Sequence, residues 1–211
     1  LTNPTYSIHS STHHTTSSTS INQALDFSTL LQISQMISST IDLDELLQIV
    51  TQTMLQNSGA DRCALMLCQD QQWQVRAIAT WENISLQTEP LENNPTVPVK
   101  LIQYVKNTLA TVAIDHLKTD LPVIDDYLDH HQPESLLGLP ILNQGNLVGI
   151  LYLENRITSG VFSPNRLLVL NFLSSQAAIA LEIAEPAPRE LEEPPEPGSP
   201  APSGRPATRP A

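Results

Sequence analysis

Two pairs of residues in the acidic segment 115–134 have spacings that could bind a metal ion. Asp126 and His130 are four residues apart, which would place both side chains on one side of a helical turn, and Asp115 and His116 precede them. Carboxylate and imidazole groups at such spacing can coordinate a divalent cation. The segment is charged throughout and contains no cysteine, so we favour an acidic, solvated loop over a metal site.

The two cysteines offer a possible thiol chemistry. Cys63 and Cys68 lie in one apolar run, RCALMLC, which predicts a strand that places them on opposite faces and prevents a disulfide between them. We expect two buried free thiols, in which the thiolate is disfavoured, as suits a reducing cytoplasm. The chain also has no GxSxG, no glycine-rich phosphate loop and no HExxH, so we expect it not to be an enzyme.

Composition limits the partners and the extent of the folded part. The 211 residues carry 10 basic and 22 acidic side chains, a formal net charge of −12, which argues against nucleic acid and an anionic membrane surface. No apolar run looks long enough to span a bilayer. A Ser/Thr-rich stretch, 1–22, and a Pro-rich stretch, 185–211, are expected to be disordered, leaving one domain at 23–184. We expect a cytoplasmic fragment of a longer protein.

A β-hairpin is predicted at 136–155, where two short apolar runs flank a turn that contains Gly145. The second strand is apolar on both faces, so it should lie in the middle of a sheet with a cover on each side. We expect one face to carry Leu147, Gly149, Leu151 and Leu153, and the other to carry Val148, Ile150 and Tyr152.

The remaining pattern supplies helices and strands for those two covers. Residues 81–96 are polar, contain two prolines and predict a loop. The last helix should carry two apolar stripes, one for the sheet and one for a partner helix. The predicted elements are a helix from Phe27 capped by Asp26, a helix capped by Asp42 and closed by Gly59, strands at 62–68 and 73–80, a helix from Pro98 with Leu101, Ile102, Val105 and Leu109 on its apolar face, a strand at 111–114 and a helix over 164–184 capped by Ser163.

The sequence of the predicted hairpin and of the last helix resembles the GAF domain pattern. The matching residues are LGLPILNQGNLVGILYLEN, then Phe162-Ser163, then LSSQAAIALE. The resemblance covers roughly 24–184, and the stretch ALDFSTLLQISQMISSTIDLDELL is similar to GAF domains of cyanobacterial multi-domain sensor kinases. It implies an α+β fold, an α/β/α-like sandwich whose central antiparallel sheet has about five to six strands. The N- and C-terminal helices would cover one face, and a pocket helix with loops the other.

The resemblance leaves the ligand open. Covalent bilin-binding members carry a cysteine near the pocket helix, where this chain has none, so we do not expect a covalent bilin. The Asn-Lys-Phe-Asp-Glu signature of cyclic-nucleotide-binding members cannot be threaded through this sequence. Aromatic walls with few polar anchors suit a small ligand, although the same aromatics could simply fill the core. The candidate pocket residues are Trp81, Tyr104, Asp115, Tyr127, His131 and Tyr152.

The function that follows is a regulatory GAF module of a signalling kinase. We expect it to bind a small ligand non-covalently, to form a homodimer through its N- and C-terminal helices, or both. One alternative is a ligand-free structural dimerisation domain. The other alternative is a methionine sulfoxide reductase of the GAF type, which would require reactive cysteines near the pocket.

Overall fold

A computed structural model describes residues 16–115, 123 and 125–184, together with their secondary structure. The Pro-rich stretch 185–211 and residues 1–15 of the Ser/Thr-rich stretch lie outside the described residues. The elements in chain order are α1 (Thr16–Ser39), α2 (Leu43–Ser58), β1 (Arg62–Gln69), β2 (Gln72–Thr80), β3 (Ile84–Pro90), α3 (Val99–Thr108), β4 (Val112–Ile114), α4 (Asp126–His131), β5 (Ser135–Asn143), β6 (Asn146–Asn155) and α5 (Pro164–Ala184).

Within the described residues, six strands form one antiparallel sheet in the order β3-β2-β1-β6-β5-β4. The predicted hairpin is the pair β5–β6, and Gln144 and Gly145 at its turn both have positive φ. Strand β6 lies between β1 and β5, which confirms its predicted place in the middle of the sheet. The α+β architecture expected from the sequence is therefore present.

The predicted alternation of β6 is wrong at its first two residues. Leu147 packs in the cluster that contains Ile150 and Tyr152, and Val148 packs in the cluster that contains Leu151 and Leu153. This is the reverse of the expectation. The register of the hairpin shifts between Ile141 and Leu142, which pair with Gly149 and Leu147 respectively. A β-bulge of this kind adds one residue to a strand and reverses the faces before it. From Ile150 onward the predicted alternation holds.

Helices α1, α2 and α5 cover one face of the sheet. Asp42 caps α2 by accepting the amide of Glu45 at 2.9 Å, and Gly59 ends it with φ of 78°, as predicted. The predicted start of the first helix is wrong, because α1 begins at Thr16 rather than at Phe27. Serine and threonine are only moderately poorer helix formers than leucine, so this stretch can continue the helix without an apolar stripe.

Helix α5 packs across the sheet and leaves an apolar stripe exposed. By length and composition it is the one helix of the described residues that could cross a membrane, with a mean hydropathy of 1.7, contrary to the expectation from the sequence. That criterion is also met by core helices of soluble proteins, and α5 buries Leu170, Leu173, Ala177 and Leu181 inside the protein. Its exposed apolar side chains are Leu168, Phe172, Ile179 and Ile183.

The other face of the sheet is covered by α3, α4 and the connections around them. The segment predicted as the loop 81–96 contains β3, an edge strand that pairs only with β2. Half-buried Ile84 and Leu86 alternate with polar residues there, and the strand ends in Pro90, so its apolar signal is weak. Leu109 was expected on the apolar face of α3, but it caps the helix in the left-handed conformation and is exposed.

Candidate functional site

A cavity of about 600 Å³ lies on the face of the sheet opposite the long helices. It is open to solvent on one side and is bounded by the connection from β3 to α3, by the first turns of α3 and by α4. Its lining residues are Glu92, Asn93, Asn94, Pro95, Val97, Val99, Lys100, Gln103, Asp125, Asp126, Tyr127, His130 and His131. A cavity of this size matches the pockets that hold small organic ligands.

Asp125 ties the two helices of the cavity together. It caps α4 by accepting the amide of Tyr127 at 2.9 Å. Its second oxygen accepts the amides of Lys100 at 2.8 Å and Leu101 at 3.3 Å, so it also caps the first turn of α3. The carboxylate is buried, and these three amides replace the water that a buried charge would lose.

Asn94 fixes the connection that forms the opposite wall. Its side-chain oxygen accepts the amide of Thr96 at 2.9 Å and the Thr96 hydroxyl at 2.6 Å. Its side-chain amide donates to the Glu89 carboxylate and the Pro90 carbonyl, both at 3.2 Å. The buried asparagine thereby holds the loop against the end of β3.

Two aromatic rings of α4 form the aromatic part of the wall. The rings of Tyr127 and His131 stack with centroids 4.0 Å apart, and Tyr127 meets Tyr152 edge to face at 6.2 Å. The Nδ1 atom of His131 lies 2.9 Å from the Tyr127 carbonyl, which accepts its hydrogen when that nitrogen is protonated. Tyr127 is thus held by contacts of its ring and of its backbone carbonyl.

A buried carboxylate, Glu154, lies beneath this wall. It accepts the Tyr127 hydroxyl at 3.0 Å from each oxygen and the Tyr152 hydroxyl at 2.7 Å. Arg156 donates to it from Nε at 3.1 Å and from a terminal nitrogen at 3.0 Å. Arg62 donates to the Tyr127 hydroxyl at 3.1 Å and to the Thr96 carbonyl, so one guanidinium joins both walls of the cavity.

The same network keeps both phenols protonated. Burial raises the pKa of Tyr127 to about 12, with a further contribution from the negative charge of Glu154. Burial also raises the pKa of Tyr152 well above its usual value, again with help from Glu154. For Arg156, the hydrogen bonds and the charge of Glu154 outweigh burial and raise the pKa. At neutral pH both phenols are therefore protonated and donate to Glu154.

The six sequence-predicted site residues are distributed over different parts of the molecule. Tyr127 and His131 line the cavity, and Tyr152 is fully buried behind it. Asp115 accepts the Ser135 hydroxyl and the Gly160 amide, both at 3.0 Å, and Tyr104 lies on α3; neither lines the cavity.

Trp81 lies in another groove, beside α2 on the helical side of the sheet. The residue is 63% exposed, and its Nε1 donates to the Ala60 carbonyl at 3.1 Å. That open groove, of about 370 Å³, is lined by Gln52, Leu55, Gln56, Thr80, Trp81, Glu82, Asn83 and Ile84. Trp81 is therefore separated from the aromatic wall formed by Tyr127 and His131.

Sequence reasoning missed Arg62, Asn94, Asp125 and Glu154. One of them had a readable signal: Glu154 continues the face of β6 that carries Ile150 and Tyr152, so a carboxylate stands where the pattern calls for a core residue. The bonds of Asp125 to α3 join distant parts of the chain, so they leave no local signal in the sequence.

Within the part of the chain that the structure describes, no three histidine, cysteine or acidic residues converge as a metal site would require. Asp126 and His130 do lie one turn apart on α4, where the His130 Nδ1 is 2.6 Å from the Asp126 carbonyl. His116 lies outside the described residues. Cys63 is buried, and burial raises its pKa to about 12, whereas Cys68 is partly exposed, contrary to the expectation of two buried thiols.

The sheet, its helical layer and the cavity on the opposite face define an α+β domain with a small-ligand-sized pocket. The family model described as GAF domain matches residues 42–181. The chain belongs to the GAF domain family.

Two curated relatives are histidine kinases. The chain is 45% identical over 87 residues, 41% of its length, to the Dictyostelium discoideum protein named hybrid signal transduction histidine kinase G. It is 25% identical over 162 residues, 74% of its length, to the Schizosaccharomyces pombe protein named peroxide stress-activated histidine kinase mak3. The matches span only 2% and 7% of those two proteins.

Solved structures share the fold. The GAF domain of a phosphoenolpyruvate-protein phosphotransferase from Acinetobacter aligns with a TM-score of 0.58 at 19% identity, over 76% of this chain and 94% of that one. The chromophore-binding domain of a bacteriophytochrome from R. palustris aligns with a TM-score of 0.59 at 13% identity, over 77% of this chain and 62% of that one.

Proposed function

We propose that this GAF domain is a sensory module of a signal-transduction histidine kinase, and that it binds a small ligand non-covalently in the cavity of about 600 Å³. The observation that carries the proposal is the cavity wall, in which the stacked rings of Tyr127 and His131 are anchored from behind by Glu154. Family membership and the two histidine-kinase relatives support the sensory role. We further propose a cytoplasmic parent kinase of the cyanobacterial multi-domain type.

The second part of the proposal is a homodimer formed through the helical layer. Leu168, Phe172, Ile179 and Ile183 recur on α5 at intervals that place them on one face, and all four are exposed. Leu31 and Met36 on α1 add to the exposed apolar surface of this layer. An apolar stripe on long helices is the pattern of a helix-to-helix interface. A ligand would act by favouring one of two arrangements of that dimer.

The test of ligand binding is thermal unfolding of the purified domain against nucleotides, bilins and an extract of small molecules from the natural host. A ligand present at about 100 times its Kd stabilises the folded state by about 2.7 kcal/mol, which raises the midpoint measurably. Val99→Trp should fill the cavity and abolish the shift, whereas Ile157→Trp, at an exposed position outside the lining, should retain it. A shift that survives Val99→Trp would place the ligand elsewhere.

A ligand-free dimerisation domain is the second candidate, and one observation favours it. The buried polar side chains around the cavity, including Asn94, Asp125 and Glu154, already have hydrogen-bond partners within the protein. These three side chains therefore do not need a ligand to complete their hydrogen bonds. Native mass spectrometry of protein purified from its own host separates the candidates, because only the sensory module should carry added mass.

We propose that the domain itself is not an enzyme. A methionine sulfoxide reductase would need a reactive thiolate, but the pKa of Cys63 is raised to about 12 by burial and neither cysteine is among the lining residues of the cavity. The same lining offers no thiol for a covalent bilin. Methionine sulfoxide turnover, assayed with a thiol reductant, should equal the rate of a Cys63→Ala, Cys68→Ala variant.

A further inference from the structure

Hydrogen bonds at the end of β6 link the cavity wall to the helical layer. The Glu154 side chain accepts the hydroxyl of Tyr127, which lines the cavity, while its backbone carbonyl accepts the Asp61 amide at 2.9 Å. The next residue, Asn155, donates its side-chain amide to the carbonyl of Gly59 at 2.9 Å. Gly59 is the residue that ends α2, so consecutive residues of one strand bind the two sides of the domain.

The same strand end is connected to α5. The Arg156 amide donates to the Asp61 carboxylate at 2.8 Å, which fastens the chain leaving β6 to the chain entering β1. The Arg166 guanidinium, in the first turn of α5, donates to the Val161 carbonyl at 2.7 Å and lies so close to Gly59 that a Cβ there would be 2.5 Å from it. These contacts connect the strand end to the end of α2 and to the first turn of α5.

On the cavity side, both walls depend on the same hydroxyl. Tyr127 belongs to α4, and the Arg62 guanidinium joins its hydroxyl to the Thr96 carbonyl in the opposite wall. A ligand that changes the separation of α4 from this connection must lengthen or reorient the bonds from the Tyr127 hydroxyl to Glu154 and Arg62. In a close-packed interior such a change moves neighbouring groups as well.

We infer that Glu154 is the positioning residue through which the state of the cavity reaches α2 and α5, by way of Tyr127 on one side and Asn155 on the other. The inference rests on the proposed sensory function and assigns its internal route. The inference requires that the coupling be reciprocal. A change that destabilises the cavity side must also destabilise the helix ends, and a change that destabilises the helix side must also destabilise α4.

Hydrogen–deuterium exchange of the ligand-free domain tests this demand. Tyr127→Phe retains the ring that stacks on His131 and removes only the hydroxyl. Since a hydrogen bond to a charged group is lost, amides of α4 and of 155–167 should exchange about tenfold faster, with β1 and β2 unchanged. Asn155→Ala should in turn accelerate α4 by a similar factor. The double variant should exchange no faster in α4 than the faster single variant, because both changes break one route.

Two controls separate this route from general loosening. Tyr104→Phe removes the hydroxyl of a half-buried tyrosine on α3, outside the Glu154 network, and should leave exchange unchanged. Ile102→Val weakens the packing of α3. It should accelerate exchange, but not specifically at the helix ends.

Exchange in 155–167 that stays at the wild-type rate in Tyr127→Phe would overturn the inference, as would additive effects in the double variant. The ligand screen has a separate outcome. Failure to find a ligand there would remove the proposed function, while the exchange data would still decide whether the two sides are coupled.

Discussion

Leu153 and Glu154 are neighbours on β6, and they show how differently the two faces of the sheet are built. Leu153 belongs to an aliphatic core beneath the long helices, whereas Glu154 gathers two phenols and a guanidinium beneath the cavity. Among the described residues, both buried carboxylates, Asp125 and Glu154, lie on the cavity side. Apolar packing tolerates small rearrangements, but a buried charge depends on every partner. The helix side therefore depends on apolar packing, and the cavity side on specific polar contacts.

The largest effect is expected from removing the charge on the cavity side. Glu154→Ala leaves the buried hydroxyls of Tyr127 and Tyr152 and the guanidinium of Arg156 without their acceptor, and we expect the free energy of unfolding to fall by about 4 kcal/mol. Urea unfolding followed by circular dichroism measures this loss. Glu92→Ala, an exposed carboxylate in the cavity lining, is the matched control and should change stability by less than about 0.5 kcal/mol. Equal losses for the two variants would show that the buried network adds no more to stability than an exposed carboxylate does.

Truncation of the neighbouring residue tests the helix side. Leu153→Ala removes a fully buried side chain and should cost about 3 kcal/mol, from lost burial and from the space left behind. Urea unfolding gives the size of the loss, and hydrogen exchange gives its distribution. We expect the loss to appear as faster global opening, with no selective change in α4. Selective loosening of α4 in this variant would mean that the two faces are not independent.

Alkaline unfolding gives each face its own titrating group. The pKa of Cys63, on the helix side, is raised from 9.0 to about 12, and that of Tyr127, on the cavity side, from 10.0 to about 12. Because both folded pKa values lie above the unfolded ones, the stabilisation is complete below the unfolded pKa and is lost as the pH rises toward 12. For buried Cys63 the loss approaches about 1.4 kcal/mol per pH unit.

Variants separate the two contributions to the alkaline loss. Cys63→Ala should remove the part of the loss that begins near pH 9, after subtraction of each variant's deficit at pH 7. Tyr127→Phe should reduce the part that begins near pH 10, to which Tyr152 also contributes. Urea midpoints measured at intervals between pH 7 and 11 give both onsets. A wild-type slope retained in Cys63→Ala would show that this thiol does not control the earlier onset.

The two faces also differ in how far the sequence predicts them. The helix side follows from local rules: Asp42 and Gly59 bound α2 as capping residues do, and the alternation of apolar residues places β6 in the sheet. Local rules failed where an irregularity of the sheet added a residue to a strand. The bulge in β6 reverses the faces of Leu147 and Val148 in this way. They also failed for β3, whose edge position lets it remain half polar.

The cavity was harder to predict because its contacts join residues far apart in the chain. Arg62 and Tyr127, or Lys100 and Asp125, meet only after the sheet has formed. Aromatic type alone predicted Tyr127, but it also selected Trp81, which lies at the other side of the sheet. Residue type thus indicates which side chains suit a pocket, and only the sheet order decides which of them share one.

The smallest effect on stability is expected at the exposed stripe of α5, where the effect on assembly should be large. Phe172→Glu changes a side chain that is 39% exposed, so the free energy of unfolding of the monomer should change by about 0.5 kcal/mol or less. A charge within an apolar helix interface is strongly unfavourable, and the dimer should dissociate. Sedimentation velocity at micromolar concentration measures the change.

The matched control is Gln48→Glu, which adds the same charge to an exposed position of α2 outside the stripe and should leave the sedimentation coefficient unchanged. Wild-type protein that sediments as a monomer at these concentrations would contradict the proposed interface. Dimers that persist in Phe172→Glu would assign the contact to another surface. Loss of the dimer in Phe172→Glu alone would show that the helical layer, which is built for stability within one chain, also serves association between two.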